Sequence, residues 1–131
     1  MDRLTSAGLL VSRVLLSGIF LFSGANKILG FSATQAHMAG VGMKMTGLFL
    51  VLAILLELTG GLFVLLGFFP RLGALLLIAF LVPATLVFHR NVADPVQAIQ
   101  LAKNVAIMGG LFAILSAGGG VFAVGRRKDS R

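Results

Sequence analysis

The sequence predicts an all-α integral membrane protein, a four-helix bundle running up, down, up, down. Two observations carry that expectation. More than half of the residues are hydrophobic, and long runs such as Leu72–Phe88 contain no charge at all. A chain of 131 residues makes one domain, and a soluble core of that size cannot bury so much apolar surface. Lipid must cover the rest, so the bilayer is the first partner the sequence implies.

Each span needs about 20 apolar residues, and four stretches qualify: 6–29, 46–69, 72–89 and 97–117. The first contains Val14–Phe22 followed by Ser23-Gly24-Ala25, which has the outline of a cleavable signal. Arg13 interrupts the run and Lys27 follows it closely, so a retained first helix is expected. Phe31–Met45 is the longest connection, expected as an extracytoplasmic loop or surface helix.

Span two carries Glu57 near its middle, with Gly60-Gly61 one turn on. Glycines three and four residues away share the Glu57 face and let another helix come close. Gly67-Phe68-Phe69-Pro70-Arg71 makes a hairpin turn with Arg71 at the rim, because Pro70 cannot continue a helix. Pro83 is expected to kink span three. Span four is expected to begin near Gln97, which puts Lys103 more than a turn inside, and to stop at Gly118-Gly119-Gly120, since three glycines form helix poorly.

The net charge of +7 follows the positive-inside rule rather than marking a polyanion site. Arg3, Arg71, Arg126, Arg127, Lys128 and Arg131 fall on one side, against two or three on the other: Lys44, Arg90 and, depending on where span one ends, Lys27. Both termini are therefore expected in the cytoplasm, and no nucleic acid is expected as a partner. The chain has no cysteine, so it forms no disulfide and ligates no iron–sulfur cluster through its own thiols.

Ionisable groups inside apolar spans cost about 2.5–3.5 kcal/mol each on insertion scales and normally face the bundle interior in pairs. On span one, Arg13, Ser17, Gly24 and Lys27 fall within one arc. Counting rise per residue from one end puts Arg13 about 10 Å deep and Glu57 about 16 Å deep, so an Arg13–Glu57 pair is expected, more as a structural clamp than as a proton relay. Near the opposite face, Asn26, Lys27, His89, Arg90, Gln100, Lys103 and Asn104 are expected to surround a shallow polar pocket. Gln100, Lys103, Ile107 and Gly110 share one face of span four. Cationic donors with amides and a histidine suit a small oxyanion or a quinone oxygen. Anchoring at the membrane surface is an equal expectation for His89 and Arg90.

His37, Met38, Met43 and Met45 offer soft donors for Cu(I), although methionine is also ordinary filler, so no metal is the leading expectation. Only two histidines are present, too few and too far apart for haem ligation within one subunit, and no hydrolase triad assembles. Enzymatic activity is not expected from these residues.

SGANKILGF, AILLELTGGLFVLLGFFPRLGALLL, ATLVFH and AKNVAIMGGLFAIL together resemble the DoxX family over nearly the whole chain. The resemblance implies a four-helix inner-membrane protein, multi-pass, in a family tied to quinol oxidase, thiosulfate:quinone oxidoreductase and thiol-redox assemblies. Its pattern points to Arg13, Lys27, Glu57, Arg71, His89, Lys103 and Asn104. Gly42-Met43 and the 118–122 tail depart from that pattern. The function implied is a redox-associated accessory subunit that binds a quinone or docks an oxidoreductase and has no intrinsic cofactor. The alternatives are a membrane scaffold or assembly factor, and a small-solute or proton-coupled transporter, which with four spans would require a homo-oligomer.

Overall fold

The computed structural model describes residues 2–89 and 91–124 and contains five helices. They are α1 (Arg3–Leu29), α2 (Phe31–Gly40), α3 (Thr46–Leu66), α4 (Pro70–Phe88) and α5 (Pro95–Ala117). Four of them, all but α2, are long and apolar enough to cross a membrane. The long helices alternate in direction, so the described chain begins and ends at one end of the bundle, the terminal end. The other, the loop end, carries α2.

Local chemistry sets the boundaries. Asp2 caps α1 by accepting the Thr5 N–H at 2.6 Å, and Asp94 caps α5 by accepting that of Val96 at 3.0 Å, as short polar side chains do for unpaired first-turn donors. Pro70 and Pro95 occupy first positions, where no helical N–H is needed. Gly67, at φ +70°, ends α3 in the left-handed region that glycine enters without strain. The spans expected at 6–29 and 97–117 start earlier because of their caps. Span two stops at Leu66 rather than Phe69, and α4 starts two residues earlier, at Pro70. Pro83 lies inside a continuous α4.

Phe31–Gly40 forms a surface helix rather than a loop. Its Met38 is buried and His37 stacks on Phe88 with ring centroids 5.3 Å apart.

Leu50, Val64, Leu77, Leu111 and Ile114 are wholly buried, while Leu15, Phe22 and Leu86 stand mostly exposed on the outer faces. A bundle with an apolar exterior is what lipid requires. Helices α3 and α4 approach closely: a Cβ on Gly60 would come within 2.8 Å of Leu77 Cγ and 3.0 Å of the Gly73 carbonyl oxygen. Small residues let these backbones touch.

After α5 the chain folds back beneath the bundle. The Val121 N–H donates to Ser6 Oγ at 3.3 Å, and that of Val124 donates to the Leu66 carbonyl at 2.8 Å. Gly118 makes the turn at φ +78°. The glycine triplet thus ends α5, as the sequence predicts.

A candidate ligand pocket with a buried ion pair

A cavity of about 240 Å³ occupies the loop-end half of the bundle. Its walls come from Phe20, Ser23 and Lys27 of α1, Thr34 and Met38 of α2, Leu50 and Glu57 of α3, Phe80, Leu81 and Phe88 of α4, then His89, and Asn104 and Ile107 of α5. Most of these are apolar, and the polar atoms are few and grouped.

The central group is an ion pair. Lys27 Nζ lies 2.6 Å from Glu57 Oε1 and also donates to Ser23 Oγ at 2.7 Å. The same ammonium stands 5.3 Å from the centre of the Phe80 ring, within cation–π range, and Phe80 meets Phe20 edge to face. Glu57 is completely buried, and its second oxygen, Oε2, has no hydrogen-bond partner among the described residues. Gly24 packs close by: a Cβ there would come 2.7 Å from Leu58 Cδ2 and 3.5 Å from Oε2.

A second polar group lies across the cavity. Asn104 Nδ2 donates to Thr85 Oγ1 at 3.0 Å, and Thr85 Oγ1 donates to the Leu81 carbonyl at 2.7 Å. The chain fixes Thr85 as an acceptor for Asn104. His89 Nδ1 is buried without a partner among the described residues.

The Arg13–Glu57 pair expected from depth counting does not form. Side chains on a helix lean toward its N-terminus. Arg13 on α1 therefore leans toward the terminal end, while Glu57 on antiparallel α3 leans toward the loop end, and the two diverge. Lys27, near the end of α1, leans inward and meets Glu57. Arg13, only 1% exposed, instead donates from Nη1 to the Gly119 carbonyl at 2.7 Å. Its Nη2 donates to those of Phe122 at 3.0 Å and Leu65 at 3.4 Å. Leu65 lies in the last turn of α3, where carbonyls carry the negative pole of the helix, and Gly119 and Phe122 lie in the segment after α5, so three backbone acceptors hold the guanidinium there without a carboxylate. Arg71 donates to the Ser116 carbonyl at 3.2 Å at that same end.

Of the predicted pocket residues, Lys27, His89 and Asn104 line the cavity, and Glu57, expected beside Arg13, joins them. Asn26 and Lys103 are exposed and Gln100 is half-buried, and none of the three lines it. Arg90 lies outside the described residues. The inward stripe of α5 runs through Asn104, Ile107, Leu111 and Ile114, not through Gln100, Lys103 and Gly110. Ser23, Phe80 and Thr85 escaped the sequence reading. Thr85 is the lone polar side chain between Leu72 and Phe88, a signal that was available.

The four residues considered for copper have different surroundings: His37 is exposed and stacked on Phe88, Met38 is buried in the cavity wall, Met43 is half-buried and Met45 is exposed.

Residues 8–90 match the DoxX family model. The chain is 36% identical over 126 residues to the inner membrane protein YqjF of Escherichia coli strain K12, covering 96% of this chain and 95% of that protein. It is 31% identical over 124 residues to the inner membrane protein YphA of the same organism, covering 91% and 89% respectively. No solved structure matches the chain. A family match over most of the chain, with two relatives aligned along nearly their full lengths, makes this protein a member of the DoxX family.

Proposed function

We propose that this protein is an inner-membrane accessory subunit that holds the head group of a lipid-soluble quinone or quinol in the Lys27–Glu57 cavity. The names of its two relatives support the location. The observation that carries the ligand class is the unpartnered Glu57 Oε2 in a mostly apolar cavity. A buried acceptor left unsatisfied costs about 1–3 kcal/mol, so a ligand that donates an O–H to it gains that amount.

Lys27 uses two of its three N–H donors on Ser23 and Glu57; the third suits a carbonyl. A quinol supplies the hydroxyl and a quinone the carbonyl oxygen, with the ring against Phe20 and Phe80. Size agrees as well. A dry cavity of about 150 Å³ accommodates one benzene ring, so about 240 Å³ suits a substituted ring. With no cysteine of its own, the chain positions the head while a docked oxidoreductase exchanges the electrons.

The test is titration of the purified protein with decylubiquinone and its quinol, together with solvent extraction of the protein for co-purified quinone. Saturable binding that falls at least tenfold in Lys27→Met/Glu57→Leu supports the proposal. Absence of binding by the wild-type protein, or equal binding by the double variant, overturns it.

A further inference from the structure

A cavity sized for a ring leaves the tail of a membrane quinone outside, and that tail needs an exit at bilayer depth. The helix packing provides one. Among neighbouring pairs of long helices, α1 and α5 make the thinnest contact. The fully buried residues of α5, Leu111 and Ile114, both lie in its terminal-end half, and its loop-end half contributes none.

Where the two helices do touch, Gly110 is the reason: a Cβ there would come 3.0 Å from Leu16 Cδ2. Seven residues along a helix return to nearly the same direction. One such step toward the loop end reaches Lys103 on α5 and Ser23 on α1. Ser23 lines the cavity, whereas Lys103 is exposed. The seam closed by Leu16 and Gly110 therefore widens outward into the level of the cavity. Toward the membrane surface the cavity is covered by α2, through buried Met38 and the stacking of His37 on Phe88.

We infer that the cavity opens sideways into the lipid between α1 and α5, with Lys103 at the edge of the opening, and that the ligand enters and leaves from the bilayer by this route. The inference deepens the quinone reading and takes from it the need for a tail exit. Lys103 sits about 12 Å along α5 from Pro95, where a cation with no partner among the described residues is costly and where it meets the first oxygen-bearing group of an arriving ligand. This explains a charge that the cavity itself does not use.

The chain contains no tryptophan or tyrosine, so a single installed tryptophan reports alone. Phe80→Trp in the cavity wall is reconstituted in vesicles of dibromostearoyl phosphatidylcholine, whose bromines quench indole on contact, with lipid-facing Val105→Trp as the reference. Should Phe80→Trp not fold, Ile107→Trp takes its place. Quenching of the cavity tryptophan within twofold of the reference is expected, with a drop of at least twofold when Lys103→Phe fills the seam and the reference stays unchanged. Quenching by aqueous iodide in place of bromolipid, no quenching by either, or lipid quenching indifferent to Lys103→Phe overturns the route. The readout contains no quinone, so a failure of quinone binding is separable from a failure of this inference.

Discussion

Arg13 Nη1 and the carbonyl oxygen of Gly119 are 2.7 Å apart although 106 positions separate them in the chain. This bond, with those to Phe122 and Leu65, ties the segment after α5 to the middle of the terminal-end core. Hydrogen bonds from a charged donor contribute about 1.5–3 kcal/mol each. Arg13→Gln removes the charge and at least one of the bonds, and a loss of about 3 kcal/mol in detergent-solubilised stability is expected. Deleting residues 118–131 removes two of the acceptors. In a double-mutant cycle the two losses should therefore fall short of additive by more than about 1 kcal/mol; simple additivity contradicts the clamp.

The Lys27–Glu57 pair predicts that removing both charges costs less than removing one. Glu57→Gln leaves Lys27 Nζ, in a side chain only 22% exposed, facing an amide in place of a carboxylate, and breaking a buried pair from one side costs about 3–5 kcal/mol. Because Lys27 keeps some access to solvent and to Ser23, the lower part of that range is expected. Lys27→Met/Glu57→Leu removes both charges together and should recover most of the loss. Chemical unfolding of the wild-type protein and the two variants checks this, and a double variant as unstable as Glu57→Gln argues against a pair.

Much of the fold follows from features that act locally. The apolar runs and the break at Pro70 each operate within a few residues, so sequence order alone reveals them. The aspartate caps at Asp2 and Asp94, Pro95 in the first turn of α5 and Gly67 at the end of α3 are equally local, yet the apolar pattern hides them, and the span limits at 6, 69 and 97 shift for that reason. Arg13 was different: its acceptors are backbone carbonyls, which every residue carries and no composition marks. The direction in which helical side chains lean does separate Arg13 from Glu57 and brings Lys27 to it, and depth counting from Cα positions ignores that lean. Lys103 belongs to a stripe with Gln100 and Gly110 that is polar and small, which makes it resemble an inward face although Lys103 is exposed. The buried stripe one position over mixes Asn104 with Ile107, Leu111 and Ile114, and its apolar members disguise it as ordinary packing.

Asp2 predicts a pH effect confined to the start of α1. The Thr5 N–H bond to its carboxylate holds the Asp2 pKa below the ordinary value of 3.8. A depressed folded pKa means that the cap's contribution is complete above the ordinary carboxylate pKa and disappears as pH falls through the folded one. Amide exchange at Thr5 and Ser6 should accelerate relative to the α1 interior between about pH 4 and pH 2, and Asp2→Ala should abolish that change. An unchanged exchange profile in Asp2→Ala would remove the assignment.

Gly60 and Gly18 lie on long helices with opposite surroundings, which gives a paired test of close helix contact. A Cβ at Gly60 meets Leu77 Cγ at 2.8 Å, Leu77 Cδ2 at 2.9 Å and the Gly73 carbonyl oxygen at 3.0 Å, whereas one at Gly18 meets nothing within 4 Å. The Leu77 side chain has little freedom to retreat because it is itself fully buried, and the Gly73 oxygen belongs to the facing backbone. Gly60→Ala must therefore push α3 and α4 apart, at an overpacking cost of about 1–3 kcal/mol, and the separation disturbs the same helix that positions Glu57 one turn away. Gly18→Ala adds a methyl to an open face and gains helix propensity of up to about 1 kcal/mol. Thermal stability of the two variants should move in opposite directions, with decylubiquinone affinity falling only in Gly60→Ala. Equal tolerance at both positions would mean that the α3–α4 contact is looser than its geometry states.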